Sequence, residues 1–135
     1  MFIAAGVGSS GLVAAMASAG ANVEKPMNDG ATPALIAAEN GHLEVVRLLA
    51  ELGAKVETPK NDGATPAYIA AQNGHAEIIR LLVSLKPDLL TGPRRGGTTP
   101  LAVSVDGGHL EATQTLLLLG APVTVEDLRQ FPNAL

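Results

Sequence analysis

The sequence contains no cysteine and very few aromatic residues. Without cysteine the chain can form no disulfide, no thiolate nucleophile and no zinc-thiolate site, and it suits a reducing compartment. The aromatic residues are Phe2, Tyr68 and Phe131, and the formal net charge is -4 at pH 7. Nucleic-acid-binding proteins normally present a basic surface with aromatic side chains on which bases stack. We therefore expect no nucleic-acid partner and a cytoplasmic or nuclear location.

Charged side chains are also absent from residues 1–23, which include the small-residue pattern Ala17-Ser18-Ala19. Such a pattern is typical of a signal-peptidase site, but a signal peptide also begins with positive charge. A membrane span consists mainly of large apolar residues, whereas this stretch is interrupted by glycine and serine. We expect neither a targeting segment nor a membrane contact here.

The same stretch contains Gly6-Val7-Gly8-Ser9-Ser10-Gly11, which fits G-x-G-x-x-G. In dinucleotide-binding enzymes this pattern forms a tight turn between a strand and a helix, where backbone N–H groups meet a pyrophosphate. A short apolar run precedes it and Glu24 follows at about the distance of a ribose-binding acid. No second strand follows Glu24, so dinucleotide binding is a distant alternative.

Internal repetition explains these glycines better. The segment NDGATPALIAAENGHLEVVRLL at residues 28–49 returns as NDGATPAYIAAQNGHAEIIRLL at residues 61–82, a shift of 33 residues, and again as GGTTPLAVSVDGGHLEATQTLL at residues 96–117. Shifted back by the same distance, residues 2–24 align with residues 35–57, and Gly8 coincides with Gly41, Gly74 and Gly108. The apparent phosphate turn is therefore interpreted as part of a degenerate first repeat.

Each repeat predicts two short helices. Asn28-Asp29-Gly30 favours a tight turn, Thr32 is an N-cap, and Pro33 occupies the first position of a helix over residues 34–40 that Gly41 ends. A second helix is predicted over residues 43–52 and ends at Gly53. Its inner, apolar side consists of Val45, Val46, Leu48, Leu49 and Leu52. On its outer side Glu44, Arg47 and Glu51 are spaced so that they can pair. Neither helix can bury its apolar side alone, so the units must stack, with Ala37, Ala38, Ala70 and Ala71 allowing adjacent first helices to approach closely.

The pattern of each unit resembles the ankyrin repeat, because it has a turn followed by T-P, A-A, G-H, L-L and G-A at these positions. The resemblance implies an all-α repeat solenoid of stacked helix-turn-helix units with connecting turns or β-hairpin tips. We divide the chain into a truncated or degenerate repeat (1–27), three repeats (28–60, 61–94 and 95–123) and a C-terminal capping helix (124–135), which Thr124 and Glu126-Asp127 predict as a capping box. The ankyrin pattern T-P-L-H carries a histidine where this chain has Leu35, Tyr68 and Ala102, which leaves its bracing hydrogen bond unmade.

Catalytic and metal-binding patterns are not convincing. His42, His75 and His109 each precede a glutamate by two residues, but stacked units lie roughly 8–10 Å apart, too far for the three to share one ion. No serine lies in a G-x-S-x-G elbow, and the carboxylates belong to turns or to different units. We expect no enzyme activity, no cofactor and no metal site.

The resemblance implies instead that turn tips and the exposed face of the first helices bind a protein partner. Carried over by position, the candidate contact residues are Asn28, Asp29, Glu39, Asn40, Lys60, Asn61, Asp62, Tyr68, Gln72, Asn73, Arg94, Arg95, Thr98 and Asp106. Arg94 and Arg95 lie in a connection one residue longer than its counterpart, and with Lys60 they are expected to attract an acidic segment of the partner. For Tyr68 a core-filling role is the alternative.

The chain is expected to be a monomeric protein-binding module. A second hypothesis makes it a spacer or regulatory arm of a larger, enzymatic or other multidomain protein, because Met1 falls within the first helix of a repeat.

Overall fold

A computed structural model describes residues 1–92 and 97–123. Within these ranges the chain forms eight α-helices and one 3₁₀ helix, with no strand. The helices are α1 (Phe2–Gly6), α2 (Ser10–Ser18), α3 (Pro33–Glu39), α4 (Leu43–Glu51), α5 (Pro66–Gln72), α6 (Ala76–Leu85), α7 (Pro100–Asp106) and α8 (Leu110–Leu118), and the 3₁₀ helix spans Pro87–Leu90. Consecutive α-helices pair into units one to four, so the predicted helix-turn-helix repeat is confirmed.

The units stack in two layers. The first helices, α1, α3, α5 and α7, contact one another in chain order, and the second helices, α2, α4, α6 and α8, do the same. Each unit therefore contacts mainly its neighbours, as in a solenoid. The predicted capping helix (124–135), and Arg94 and Arg95, lie outside the described residues.

The first helices of units two to four begin as the sequence predicts. The hydroxyls of Thr32, Thr65 and Thr99 accept hydrogen bonds from the backbone N–H three residues later, at 3.2, 3.1 and 3.1 Å. A proline follows each threonine at the start of the helix, where its missing N–H leaves no donor unsatisfied.

Glycine ends each first helix. Gly8, Gly41, Gly74 and Gly108 have φ values of 77°, 80°, 78° and 71°, the left-handed region that favours glycine. The predicted equivalence of Gly8 with the other three is therefore confirmed. Gly6 lies in α1 and Gly11 in α2, so the G-x-G-x-x-G segment connects two helices and lacks the preceding strand of a dinucleotide-binding turn.

Alanine brings the first helices together, as predicted. Ala37, Ala38, Ala70 and Ala71 have no solvent exposure, and the larger core residues come mostly from the second helices. Val45, Val46 and Leu49 are buried there, but Leu48 is only half-buried and Leu52 is 41% exposed. The prediction was wrong for Leu52, because α4 ends at Glu51 and the residue lies beyond the helical face that meets its neighbours.

Unit three departs from the others at its end. Gly20, Gly53 and Gly120 follow the other second helices with positive φ, whereas Lys86 stands here with φ -139°. The chain continues into the 3₁₀ helix, which places Leu89 in the core at 5% exposure. The sequence analysis did not predict this element.

Candidate partner-binding surface

Histidines fasten each unit to the one before it. The Nε2 atoms of His42, His75 and His109 lie 2.9, 3.0 and 2.8 Å from the backbone carbonyl oxygens of Gly6, Glu39 and Gln72, respectively. With Nε2 protonated, each ring donates a hydrogen bond to the C-terminal end of the preceding first helix, where carbonyls lack helical partners. The T-P-L-H histidine is missing, and the contacts between units described here are made by other histidines, at a different position of the repeat.

The same rings lie against the helix-ending glycines of the preceding units. A Cβ atom added to Gly8, Gly41 or Gly74 would come within 2.5, 2.8 and 2.5 Å of the ring of His42, His75 or His109. These glycines are therefore required twice, by their backbone conformation and by the space that the next unit's histidine occupies. The recurring Gly-His pair was visible in the sequence, but its contact partner was not.

The ends of the first helices present different side chains on this common backbone. Glu39, Gln72 and Asp106 occupy equivalent positions in units two, three and four, and all three are exposed. Asn40 and Asn73, one residue further, are also exposed. Asn73 donates from Nδ2 to the Glu39 carbonyl at 3.3 Å, so it helps to hold unit three against unit two.

The turn tips of units two and three are tied together. The Asn61 side chain donates to the Asn28 carbonyl at 3.2 Å, and its backbone N–H donates to the Asp29 carbonyl at 2.8 Å. A Cβ on Gly30 would lie 2.6 Å from Oδ1 of Asn61. Three of the predicted contact residues therefore also stabilise the tip, although all three are exposed.

Carboxylates within the tips close their own turns. Asp29 Oδ1 and Asp62 Oδ1 each accept a hydrogen bond from the backbone N–H two residues later, at 2.9 Å in both cases. Such Asx turns are a common reason for aspartate at a turn. Lys60 Nζ lies 3.8 Å from Asp62 Oδ2, so the charge of Lys60 is partly balanced within its own turn.

The remaining predicted residues differ in accessibility. Tyr68 is only 2% exposed and belongs to the core, so its side chain offers no surface to a partner and we leave it out of the contact surface. Its burial agrees with the alternative given in the sequence analysis, a core-filling role for this side chain. Thr98 is half-buried next to the N-cap of α7.

The second helices carry the predicted surface ion pairs. Arg47 pairs with Glu44 at 2.8 Å, and Arg80 pairs with Glu77 at 2.9 Å, with all four side chains largely exposed. A shallow cleft of about 340 Å³ lies between α2 and α4, lined by Ser10, Gly11, Ala14, Glu44, Arg47, Leu48 and Glu51.

Over residues 1–92 and 97–123, no group of three or more His, Asp or Glu side chains is arranged to hold a metal ion. Across the same ranges, none of the helices has the length and apolar character needed to cross a bilayer.

A family model described as ankyrin repeats, in three copies, matches residues 1–60 and 53–127. The chain belongs to the ankyrin-repeat family. The matched range includes unit one, where the sequence had diverged most. A search of curated proteins gave no match. Ankyrin repeats are generally protein–protein interaction modules and are typically non-catalytic.

Proposed function

We propose that this ankyrin-repeat chain binds a protein partner through its turn tips and the C-terminal ends of its first helices. One observation carries the proposal. The backbone carbonyls of Glu39 and Gln72 are held by histidines of the following units, while the side chains of the same residues point into solvent. A backbone that is already fixed does not have to be ordered on binding, which lowers the entropic cost of specific recognition.

The proposed surface also carries two exposed carboxylates, those of Glu39 and Asp106. No ion pair among the described residues includes Glu39 or Asp106, whereas the glutamates of α4 and α6 that face outward at Glu44 and Glu77 are paired with arginines. Unpaired carboxylates on an exposed surface can bind cationic groups of a partner without first breaking an internal contact. Glu51 and Glu111 on the second helices are also exposed and outside every ion pair of the described residues, so the preference for the first-helix ends rests on their fixed backbone.

A finer proposal concerns the cations Lys60, Arg94 and Arg95, which we call the basic edge; Arg94 and Arg95 lie outside the described residues. We propose that these three cations attract an acidic segment of the partner. Lys60 is 3.8 Å from Asp62 and its side chain is 27% exposed, so a partner carboxylate would compete for an ion pair that is long and weak. Arginine suits such a role because its planar guanidinium binds carboxylates through two hydrogen bonds.

The test compares two charge-reversed variants with the native chain in an affinity capture from lysate of the source cells, read by mass spectrometry. Glu39→Lys with Asp106→Lys changes the proposed surface, and Glu51→Lys with Glu111→Lys changes exposed positions on the second helices by the same net charge. A protein captured by the native chain and the control variant, and lost with the first variant, supports the proposal. Equal capture by all three chains, or loss only with the control variant, would contradict it.

The basic edge is tested separately with Lys60→Glu, Arg94→Glu and Arg95→Glu in one chain. The captured protein should be lost from this variant if its acidic segment binds there. Unchanged affinity after reversal of all three charges would exclude the basic edge while leaving the first-helix surface intact. Equal thermal stability of all variants is required, so that lost binding is not caused by unfolding.

A further inference from the structure

Thr58 and Pro59 form one of four Thr-Pro pairs in the sequence, and their environment differs from that of the other three pairs. Those three begin first helices, where the threonine caps the helix and the proline is buried: Thr32-Pro33, Thr65-Pro66 and Thr99-Pro100. Thr58 and Pro59 lie instead in the connection between α4 and α5, outside any helix. Pro59 is exposed and Thr58 is half-buried. An enzyme that recognises a threonine followed by an accessible proline therefore finds that pattern only at this pair.

The Thr58 hydroxyl is held only weakly in the folded chain. It donates to the Lys55 carbonyl at 3.4 Å, which is longer than the usual range of about 2.5–3.0 Å for an O–H···O hydrogen bond. By contrast, the Thr65 hydroxyl accepts a hydrogen bond from the Tyr68 N–H at 3.1 Å and caps α5. Modification of Thr65 would remove an N-cap, whereas modification of Thr58 would remove one long hydrogen bond.

The backbone next to Thr58 makes few hydrogen bonds. The N–H groups of Glu57 and Thr58 donate to no described residue, and Pro59 has no N–H. Val56 is 3% exposed and marks the point at which the connection is anchored in the core. Protein kinases bind their acceptor residue within an extended segment, so an acceptor inside a helix requires that the helix unfold first. Residues 57–59 need no such step, because local opening costs little where few backbone hydrogen bonds break.

The charges around Thr58 suit a phosphate group. Lys55 is exposed and belongs to no ion pair of the described residues, and Lys60 has only the 3.8 Å contact with Asp62. The neighbouring carboxylate of Glu57 lies 3.8 Å from the ammonium group of Lys86. A phosphothreonine carries a charge of about -1.5 to -2 at pH 7 and accepts charge-assisted hydrogen bonds from ammonium groups. The two lysines can therefore compensate its charge without unfolding of the connection.

We propose that Thr58 is an acceptor site for a proline-directed serine/threonine protein kinase. In the transfer, the Thr58 hydroxyl oxygen bonds to the γ-phosphorus of ATP, and the bond from that phosphorus to the β–γ bridging oxygen breaks. ADP leaves, and the hydroxyl proton passes to the catalytic aspartate of the kinase. The kinase and ATP supply the reaction, and this chain supplies the acceptor. The site does not depend on the function proposed above.

The experiment incubates the folded 135-residue chain with Mg²⁺, ATP and each of two purified proline-directed kinases, one mitogen-activated and one cyclin-dependent. Intact-mass spectrometry measures how many phosphate groups are added, and tandem mass spectrometry after proteolysis locates them. The native chain should gain one phosphate, on Thr58, with at least one of the two kinases. Thr58→Val removes the hydroxyl but keeps the shape of the side chain, so phosphorylation should be lost while the thermal stability is kept.

Two proline variants test whether the Thr-Pro pair is what the kinase recognises. Pro59→Ala keeps the Thr58 hydroxyl but removes two methylene groups from the recognition pocket of the enzyme, and should slow phosphorylation about tenfold or more. Pro26→Ala is the matched control, because Pro26 is exposed at the equivalent position one repeat earlier and follows Lys25. Loss of phosphorylation with Pro59→Ala and not with Pro26→Ala supports the proposal. A native chain that takes no phosphate from either kinase, a phosphate on any residue other than Thr58, or an unchanged rate with Pro59→Ala would each overturn it.

Discussion

Replacing Gly41 by alanine adds one methyl group at the junction of units two and three. Gly41 has φ +80°, and the new Cβ would lie 2.8 Å from Cε1 of His75. Gly53 has φ +91°, but a Cβ there meets no heavy atom within 4 Å. Both substitutions strain a left-handed backbone, and only the one at Gly41 also displaces a side chain of the next unit. The two variants therefore separate backbone strain from the contact between units.

The expected magnitudes follow from these geometries. A left-handed backbone costs an L-residue roughly 1–2 kcal/mol, so Gly53→Ala should lower the free energy of unfolding by about that amount. Gly41→Ala must also move a ring whose Nε2 is hydrogen-bonded to the Glu39 carbonyl. Overpacking typically costs about 1–3 kcal/mol, which gives a total of roughly 2–5 kcal/mol. For a chain of this length each kcal/mol should lower Tm by about 4 °C.

Urea denaturation followed by far-UV circular dichroism measures these differences, and a double variant identifies their cause. In a His75→Ala background the ring is absent, so Gly41→Ala should cost only the backbone strain seen for Gly53→Ala. The reasoning would be refuted if Gly53→Ala were as destabilising as Gly41→Ala in the native background. It would also be refuted if removing the His75 ring left the penalty at Gly41 unchanged.

Three further predictions use the same denaturation assay. Thr65→Ala removes the N-cap of α5, whose hydroxyl accepts from the Tyr68 N–H at 3.1 Å, and should cost about 1 kcal/mol; a cost near zero would show that the cap is dispensable. Leu49→Ala leaves a cavity at a side chain with 0% exposure and should lower the free energy of unfolding by about 2–5 kcal/mol. Leu118→Ala, at 85% exposure, should change it by less than about 0.5 kcal/mol. Similar costs for both variants would contradict the difference in burial between these two residues. Arg47→Ala breaks an exposed ion pair and should cost less than about 1 kcal/mol, so a larger loss would assign that side chain a packing role.

Local structure could be predicted well because its causes lie within a few residues. The helix predicted over residues 34–40 is observed at Pro33–Glu39, and the one predicted over residues 43–52 is observed at Leu43–Glu51. Thr-Pro begins the first helix because the threonine hydroxyl accepts a hydrogen bond from a nearby backbone N–H and the proline φ is already helical. Gly41 ends the helix because a left-handed φ costs glycine little free energy. The 33-residue period then required the units to stack.

The candidate surface could be predicted only by position. Position in the repeat identified Glu39, Gln72 and Asp106 as residues of the first-helix face, and the structure shows that they are exposed. It could not distinguish Tyr68, which has 2% exposure, because burial at that position depends on the neighbouring units packed around it. Whether any of the exposed residues contacts a partner stays a prediction.

The sequence by itself determined the repeat, the helices and the turns, since each depends on backbone preferences and on the spacing of apolar residues. Only the tertiary structure decided which atoms meet across units, because His75 and the Glu39 carbonyl are 36 residues apart in the chain. It likewise decided that Ile3 is 80% exposed while Ile69 is 6% exposed, although both follow the same local pattern. The physical reason is that stacking buries a side chain only where another unit covers it, and no local pattern records that neighbour.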